Sequence, residues 1–321
     1  MHPTLSSLRG IVPSLNTPFL AGGAVDEASV SRVVEATVQA GCAGMLVLAV
    51  AGENRFLGFE ERDRIGRVIT ECNAGRLPII VNVTGADLGQ SVALSDQARL
   101  IGADAVCYQV DARKSCRQLL DEVEQIAGVG PEILVVQDLD WTGEGLSLDS
   151  VERLARHCPS FQAIKIETVL AGPKYSRVLA HFDGRLHVSG GWAAAQMIEG
   201  LTRGVHAFMP TAMDHLYNRV SELFRSGQVD EARRAFERML PILAFTQQHI
   251  DISIHFFKML RQAQGVFSTA LSRCALRLDP VQQRSAEGLV ARAIALETAA
   301  EAERRTDAFT PTSSNNFRSR L

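Results

Sequence analysis

The sequence contains no CxxC pair. Its six cysteines (Cys42, Cys72, Cys107, Cys116, Cys158 and Cys274) are scattered, which fits neither a zinc site nor a disulfide framework. It has no basic excess: 36 acidic residues face 33 basic ones, a formal net charge of −3. That argues against nucleic-acid partners, whose binding leans on basic surface. No apolar run approaches the roughly 18 residues of a membrane span. No charged segment precedes an apolar run in the manner of a signal peptide. No GxGxxG follows an apolar run, which argues against a dinucleotide-binding fold. Reduced thiols and a cytoplasmic location are therefore expected.

What is present is an ordinary globular composition, 46% hydrophobic and 21% charged over 321 residues. That length suits one large α/β domain or two smaller ones. Eight short apolar runs stand out, at 10–15, 44–50, 78–83, 104–110, 133–137, 161–166, 186–189 and 205–209. Near-continuous apolar runs of this length suit parallel strands covered on both faces. Amphipathic helical patterns lie between them, at 26–40, 59–73, 91–101, 115–127 and 148–157, the last with Ser147 as N-cap. Gly102, Gly130 and Gly184 punctuate returns to strand. Alternation of this kind predicts a (β/α)8 TIM barrel over residues 1–216 rather than an open doubly wound sheet.

From Tyr217 onward the strand signal stops. Helical patterns at 220–226, 229–244, 250–264 and 280–303 predict a C-terminal helical extension, taken as a domain spanning 217–305. Residues 306–321 are polar and expected to be disordered.

Barrels of this type place their chemistry at the C-terminal ends of the strands. The polar residues there are Asn16, Thr17, Gly52, Glu53, Asn82, Thr84, Gln137, Asp138, Asp140, Lys165, Glu167, Ser189, Gly190 and Gly191. Lys165 is the sharpest signal, because it interrupts an apolar strand, Ala163-Ile164-Lys165-Ile166. A lysine among apolar neighbours has its charged form disfavoured, and a neutral amine is the nucleophile that imine formation needs. A snorkelling or ion-paired strand-end lysine is the plainer alternative. Strand periodicity puts Glu167 on the same face as Lys165, as general acid/base or as ion-pair partner. Glu53 reads better as a structural acid than as a catalytic one. Gly190-Gly191 fits either a carboxylate nest or a tight turn. His187, His206 and His215 have no metal-ligand spacing, and no metal site is expected.

Several ordered segments carry a resemblance. They are Gly10-Ile11-Val12-Pro13-Ser14-Leu15-Asn16-Thr17-Pro18-Phe19, Ala49-Val50-Ala51-Gly52-Glu53 with Glu60-Glu61-Arg62, Gly102-Ala103-Asp104-Ala105-Val106, Ala163-Ile164-Lys165 and Ser189-Gly190-Gly191. Together the sequence resembles the dihydrodipicolinate synthase / N-acetylneuraminate lyase family of class I lyases, from about Leu8 to Leu296. The resemblance implies a (β/α)8 barrel with a C-terminal helical domain. It also implies a homo-oligomer (tetramer or dimer), no metal or organic cofactor, and Lys165 as the imine-forming residue.

The departures from the family pattern are concerted. The paired hydroxyl residues that bind the 2-oxo acid carboxylate fall on Val50 and Ala51. The fifth-strand relay tyrosine falls on Gln137, which cannot carry a proton at neutral pH. The second relay tyrosine has no counterpart in Val110-Asp111-Ala112-Arg113-Lys114. The arginine that holds a distal carboxylate is replaced near Trp141. Glu167 stands where a small residue is usual. These changes argue against authentic dihydrodipicolinate synthase and sialic acid lyase activities.

The expectation is thus an aldolase or hydro-lyase acting on a 2-oxo acid or related small carbonyl compound. Its catalytic residues would be Lys165, Glu167 and Asp138. Its substrate-binding residues would be Val50, Ala51, Gly52, Gln137, Trp141, Ser189, Gly190, Gly191 and Met209. The small carbonyl substrate is its expected partner, with no nucleic acid or membrane. An inactive small-acid-binding sensor or regulatory protein on the same fold is the alternative, and an isomerase or hydratase built on the acids alone is a third.

Overall fold

The computed structural model describes residues 2–309. Eight parallel strands form one sheet: β1 (Gly10–Ile11), β2 (Met45–Val47), β3 (Ile79–Asn82), β4 (Ala105–Val110), β5 (Ile133–Asp140), β6 (Phe161–Thr168), β7 (His187–Gly190) and β8 (Ala207–Phe208). Each matches one of the eight apolar runs. Neighbours follow sequence order, and β1 pairs with β8. The barrel closes between β1 and β2 by backbone contacts just beyond the strands. Leu15 N–H donates to Leu46 O and Leu46 N–H to Pro13 O, each at 2.9 Å.

Thirteen helices are described. They are α1 (Pro3–Ser7), α2 (Glu27–Gln39), α3 (Phe59–Asn73), α4 (Leu88–Leu100), α5 (Cys116–Val129), α6 (Leu148–His157), α7 (Ala171–Phe182), α8 (Met197–Arg203), α9 (Asp214–Arg225), α10 (Val229–Glu237), α11 (Leu240–Thr246), α12 (Ile250–Ala263) and α13 (Pro280–Phe309). Side-chain caps start many of them: Asp26 accepts Ser29 N–H, Asp87 accepts Gln90 N–H, and Ser147 accepts Ser150 N–H as expected. Gly102 and Gly184 take positive φ at the turns back to strand.

The barrel has two cores. A large one lies between the sheet and its helices. A smaller one fills the barrel, with Val12, Leu46, Ile80, Cys107 and Val135 among its side chains, and Leu5 and Leu8 at and just after α1 join it. The C-terminal helices differ in detail from the sequence expectation. The 229–244 pattern breaks into α10 and α11, with Pro241 in the first turn of α11, because a mid-helix proline removes a hydrogen bond and clashes with the preceding turn. The 220–226 pattern is the second half of α9. Of the tail expected to be disordered, Thr306 to Phe309 continue α13, and 310–321 lie outside the described residues. Among the described residues, no helix is long and apolar enough to cross a membrane.

Candidate active site

Alternation along β6 turns Lys165 and Glu167 to the barrel interior. Lys165 Nζ lies 2.9 Å from Glu167 Oε2, and both side chains are buried. Gln137 on β5 and Ser189 on β7 flank Lys165 in register. Gln137 Nε2 donates to Glu167 Oε2 at 2.5 Å, and Trp192 N–H donates to Glu167 Oε1 at 2.7 Å. Burial pushes the Glu167 pKa up. The Lys165 ammonium and the hydrogen bonds from Lys165, Trp192 and Gln137 together outweigh it and hold the carboxyl below the usual range. Glu167 is therefore ionised at neutral pH.

Gly191 makes room for that carboxylate. A Cβ at Gly191 would fall 2.1 Å from Glu167 Oε1. A Cβ at Gly190 would meet the Tyr175 hydroxyl at 2.8 Å and the Phe208 ring at 3.0 Å. The pair thus has a packing reason for being glycine.

The Lys165–Glu167 pair faces a cavity of about 320 Å³. Val50, Ala51, Gln137, Trp141 and Met209 line it, as do Ala49, Leu139, Ser14 and Thr211. One wall comes from beyond the barrel: Thr246, Gln247, Gln248, His249, Ile250 and Ser253, at the junction of α11 and α12. Trp192 completes the lining, and no tyrosine belongs to it. Val50 to Gly52 form one 3-10 turn. Asn16 Nδ2 and Thr17 Oγ1 brace it by donating to Ala51 O and Gly52 O, each at 2.7 Å. The N–H groups of Val50 and Ala51 head the turn, so neither has an acceptor within it.

Other expected site residues lie elsewhere. Gly52, Ser189, Gly190 and Gly191 are outside the lining, although Gly191 seats Glu167. Asp138 does not reach the cavity, which corrects its expected role as proton carrier. Gln137 and Leu139 point inward on β5, so Asp138 between them points outward. There it is ion-paired with Lys174 of α7 and accepts Leu146 N–H at 2.9 Å. Burial raises its pKa, with Lys174 opposing. Lys174 also donates to Glu144 O. Gly145, at φ +64°, leaves space for the Asp138 carboxylate, which a Cβ would approach to 2.1 Å. Asp138 anchors the loop that carries Trp141.

Glu53 is a structural acid, as expected. It is fully buried, takes a left-handed φ of 59° and pairs with Lys258 of α12. Its Oε1 accepts Ser272 Oγ at 2.9 Å and Arg273 N–H at 2.7 Å. His187 and His206 stack on one another, 5.0 Å between ring centroids, and His187 Nε2 contacts Leu8 O. Among the described residues, no group of three or more His, Cys, Asp or Glu side chains is placed to hold a metal ion.

Sequence reasoning missed Trp192 and the 246–253 wall. Trp192 had a signal, since it follows the flagged Gly190-Gly191. The wall had none, because only the docking of α11 and α12 brings it to the barrel.

Comparison with known proteins agrees with this architecture. The family model described as the dihydrodipicolinate synthetase family matches residues 7–290. L-2-keto-3-deoxyarabonate dehydratase of Azospirillum brasilense is 29% identical over 276 residues, 83% of this chain and 87% of that protein. The dihydrodipicolinate synthase structure from Rhodopseudomonas palustris superposes with a TM-score of 0.82 at 20% identity, covering 89% of this chain and 98% of that one. A catalytic-lysine mutant of the sialic acid aldolase of Ruminococcus gnavus superposes with a TM-score of 0.83 at 15% identity, covering 92% and 98%.

Proposed function

The chain belongs to the dihydrodipicolinate synthetase family, and from that premise we propose that it is a class I lyase acting through an imine on Lys165. It is an aldolase or hydro-lyase for a 2-oxo acid or related small carbonyl compound, and not an authentic dihydrodipicolinate synthase. One observation carries the reading: a buried lysine and a buried carboxylate, 2.9 Å apart, face open space inside the barrel.

The steps follow from that pair. Glu167 takes a proton from the Lys165 ammonium, and the neutral amine attacks the carbonyl carbon. Glu167 returns that proton to the developing alkoxide, takes a second from the nitrogen to give the carbinolamine, and passes it to the hydroxyl, which leaves as water. The resulting iminium is an electron sink for retro-aldol cleavage, or for loss of a β-hydroxyl after proton removal by Glu167. Hydrolysis of the iminium consumes a water and frees Lys165. Gln137 orients Glu167 and carries no proton itself. The Val50 and Ala51 N–H groups receive the substrate carboxylate in place of side-chain hydroxyls. The dehydratase and aldolase activities named for relatives are both compatible with this sequence of steps.

The absence of tyrosine from the lining favours a second reading, a small-acid-binding protein without turnover. Incubation with a panel of 2-oxo acids and aldehydes, then borohydride reduction and intact mass spectrometry, separates the two. A reduced adduct mapped to Lys165, lost in Lys165→Ala, is expected. A folded protein that binds small acids but yields no adduct with any carbonyl would be the binding protein instead.

A further inference from the structure

On the reading of Lys165 as the imine-forming residue, we infer that Trp141 and Trp192 form an aromatic platform that selects a substrate with a flat, uncharged arm. The substrate class is then an aryl-substituted 2-oxo acid, rather than one ending in a second carboxylate.

The two rings lie 6.0 Å apart between centroids, tilted by 52°, and both line the cavity that holds Lys165. Each is fixed in place by its backbone. Trp192 adopts φ 52°, a left-handed conformation that costs energy for a residue with a bulky side chain. Its peptide groups are pinned on both sides: its N–H bonds Glu167 Oε1, and its C=O accepts Gln247 Nε2 at 3.2 Å. The strained residue that presents the ring is therefore the one that holds the carboxylate beside the lysine. Trp141 is carried on a loop tied by Asp140, whose Oδ1 accepts Thr142 N–H at 3.0 Å and Gly143 N–H at 2.9 Å. The residue is nonetheless 45% exposed. A large aromatic left open at a cavity, on a loop tied down by these bonds, is a surface prepared for contact.

The rest of the lining says what that contact is not. Lys165 is its one lysine, and it contains no arginine. The adjoining hollow, which shares Val50, Leu139, Trp141 and Ile250, holds Arg55 and Arg62. Arg55 is paired with Asp251, and Arg62 bonds Asn54 O and Thr84 O. A distal carboxylate in the Lys165 cavity would therefore meet no unpaired arginine and would lose hydration. Two of the polar groups are already engaged, Gln137 by Glu167 and Gln247 by Trp192.

These are also the chain's only two tryptophans, so intrinsic fluorescence reports this site without background. The protein and its Lys165→Ala variant are titrated with 3-phenylpropanoate, propanoate and glutarate, none of which has a ketone. Phenylpropanoate is expected to give a saturable emission change in both, binding about 10-fold tighter than the other two, from stacking contacts. In Trp141→Leu, read through Trp192, that preference should fall at least 3-fold, and Trp141→Phe should restore most of it. Equal affinity for the three acids, an unchanged preference in Trp141→Leu, or no saturable signal at all overturns the platform. Because the probes cannot form imines, these results stand whatever the trapping experiment shows. Trapping of pyruvate without aryl preference removes only the platform.

Discussion

Three lysine–carboxylate pairs are buried among the described residues, Lys165–Glu167, Lys258–Glu53 and Lys174–Asp138, and the surroundings of the first two differ in kind. Around Lys258 the protein supplies everything. Its Nζ pairs with Glu53, donates to Leu271 O at 2.8 Å, and sits 4.2 Å over the Phe19 ring. Burial draws the Lys258 pKa down to about 8, with Glu53 opposing. Glu53 is in turn filled by Ser272 and Arg273. No room is left for a reacting molecule. Lys165 has the same chemical partner at 2.9 Å, but a cavity lies beside it. The depressed pKa of Lys258 therefore belongs to a pair with no space for a ligand. The sealed pair joins the β2 loop to the C-terminal helices, whereas the Lys165–Glu167 pair has space in front of it.

The sharpest way to break this comparison is to remove each lysine in turn. Lys165→Met should abolish the borohydride adduct and lower kcat/KM by at least about 10³-fold, while the protein still folds. Lys258→Met should keep the adduct but lose stability by about 3–5 kcal/mol, since Glu53 is left buried and unpaired. Denaturant melts and adduct mass on both variants check this. An adduct that persists in Lys165→Met would erase the distinction.

Glu167→Gln should lower kcat by about 10²–10⁴-fold, the usual contribution of a positioned acid/base. Slow imine trapping should survive, because Lys165 remains. Full turnover in this variant would assign the proton transfers elsewhere. Gly191→Ala should displace Glu167 without touching its chemistry, at a cost near 10²-fold in kcat. Rates as fast as the parent's would show that the carboxylate tolerates the shift.

Asp138→Asn should leave Lys174 buried without its charge partner, destabilising the chain by about 3 kcal/mol. Adduct formation on Lys165 should persist, which separates the Trp141-loop anchor from a catalytic acid. The smallest effect concerns a carboxyl with an acid as its neighbour. Glu297 on α13 accepts Leu216 N–H at 2.7 Å, and burial, reinforced by Asp214, pushes its pKa up to about 7. The folded chain then binds a proton that the unfolded chain, near 4.5, has released. Stability should fall as pH rises through that window and level off above about 7. Glu297→Gln should flatten the slope, gaining at most about 3 kcal/mol at pH 8. Melting temperatures from pH 5 to 8 that run parallel for both proteins would contradict this.

Much of the fold was legible because parallel strands covered on both faces have a plain signature. All eight apolar runs became strands. The Lys165–Glu167 pair was legible from one strand's alternation, which puts residues 165 and 167 on one face. The same rule, applied to β5, separates Gln137 from Asp138, and it corrects the expectation that both serve the site. Glycines carried less meaning than their neighbours: Gly191 is small because of Glu167, a constraint written on another strand. The tryptophan pair and the α11–α12 wall depend on contacts between distant segments, which no local pattern encodes.

The position of that wall has a consequence for the order in which the site comes into being. Chains are synthesised from the N-terminus, and domains begin to form as they emerge. Lys165 and Glu167 are made with the sixth strand, whereas Gln247 follows the eighth. A nascent barrel thus holds its lysine beside an open groove. Docking of the late helices closes the groove and also delivers Gln247 to the Trp192 carbonyl, fixing the peptide whose N–H steadies Glu167. The lining of the Lys165 cavity is thus complete only once the last-made helices are in place.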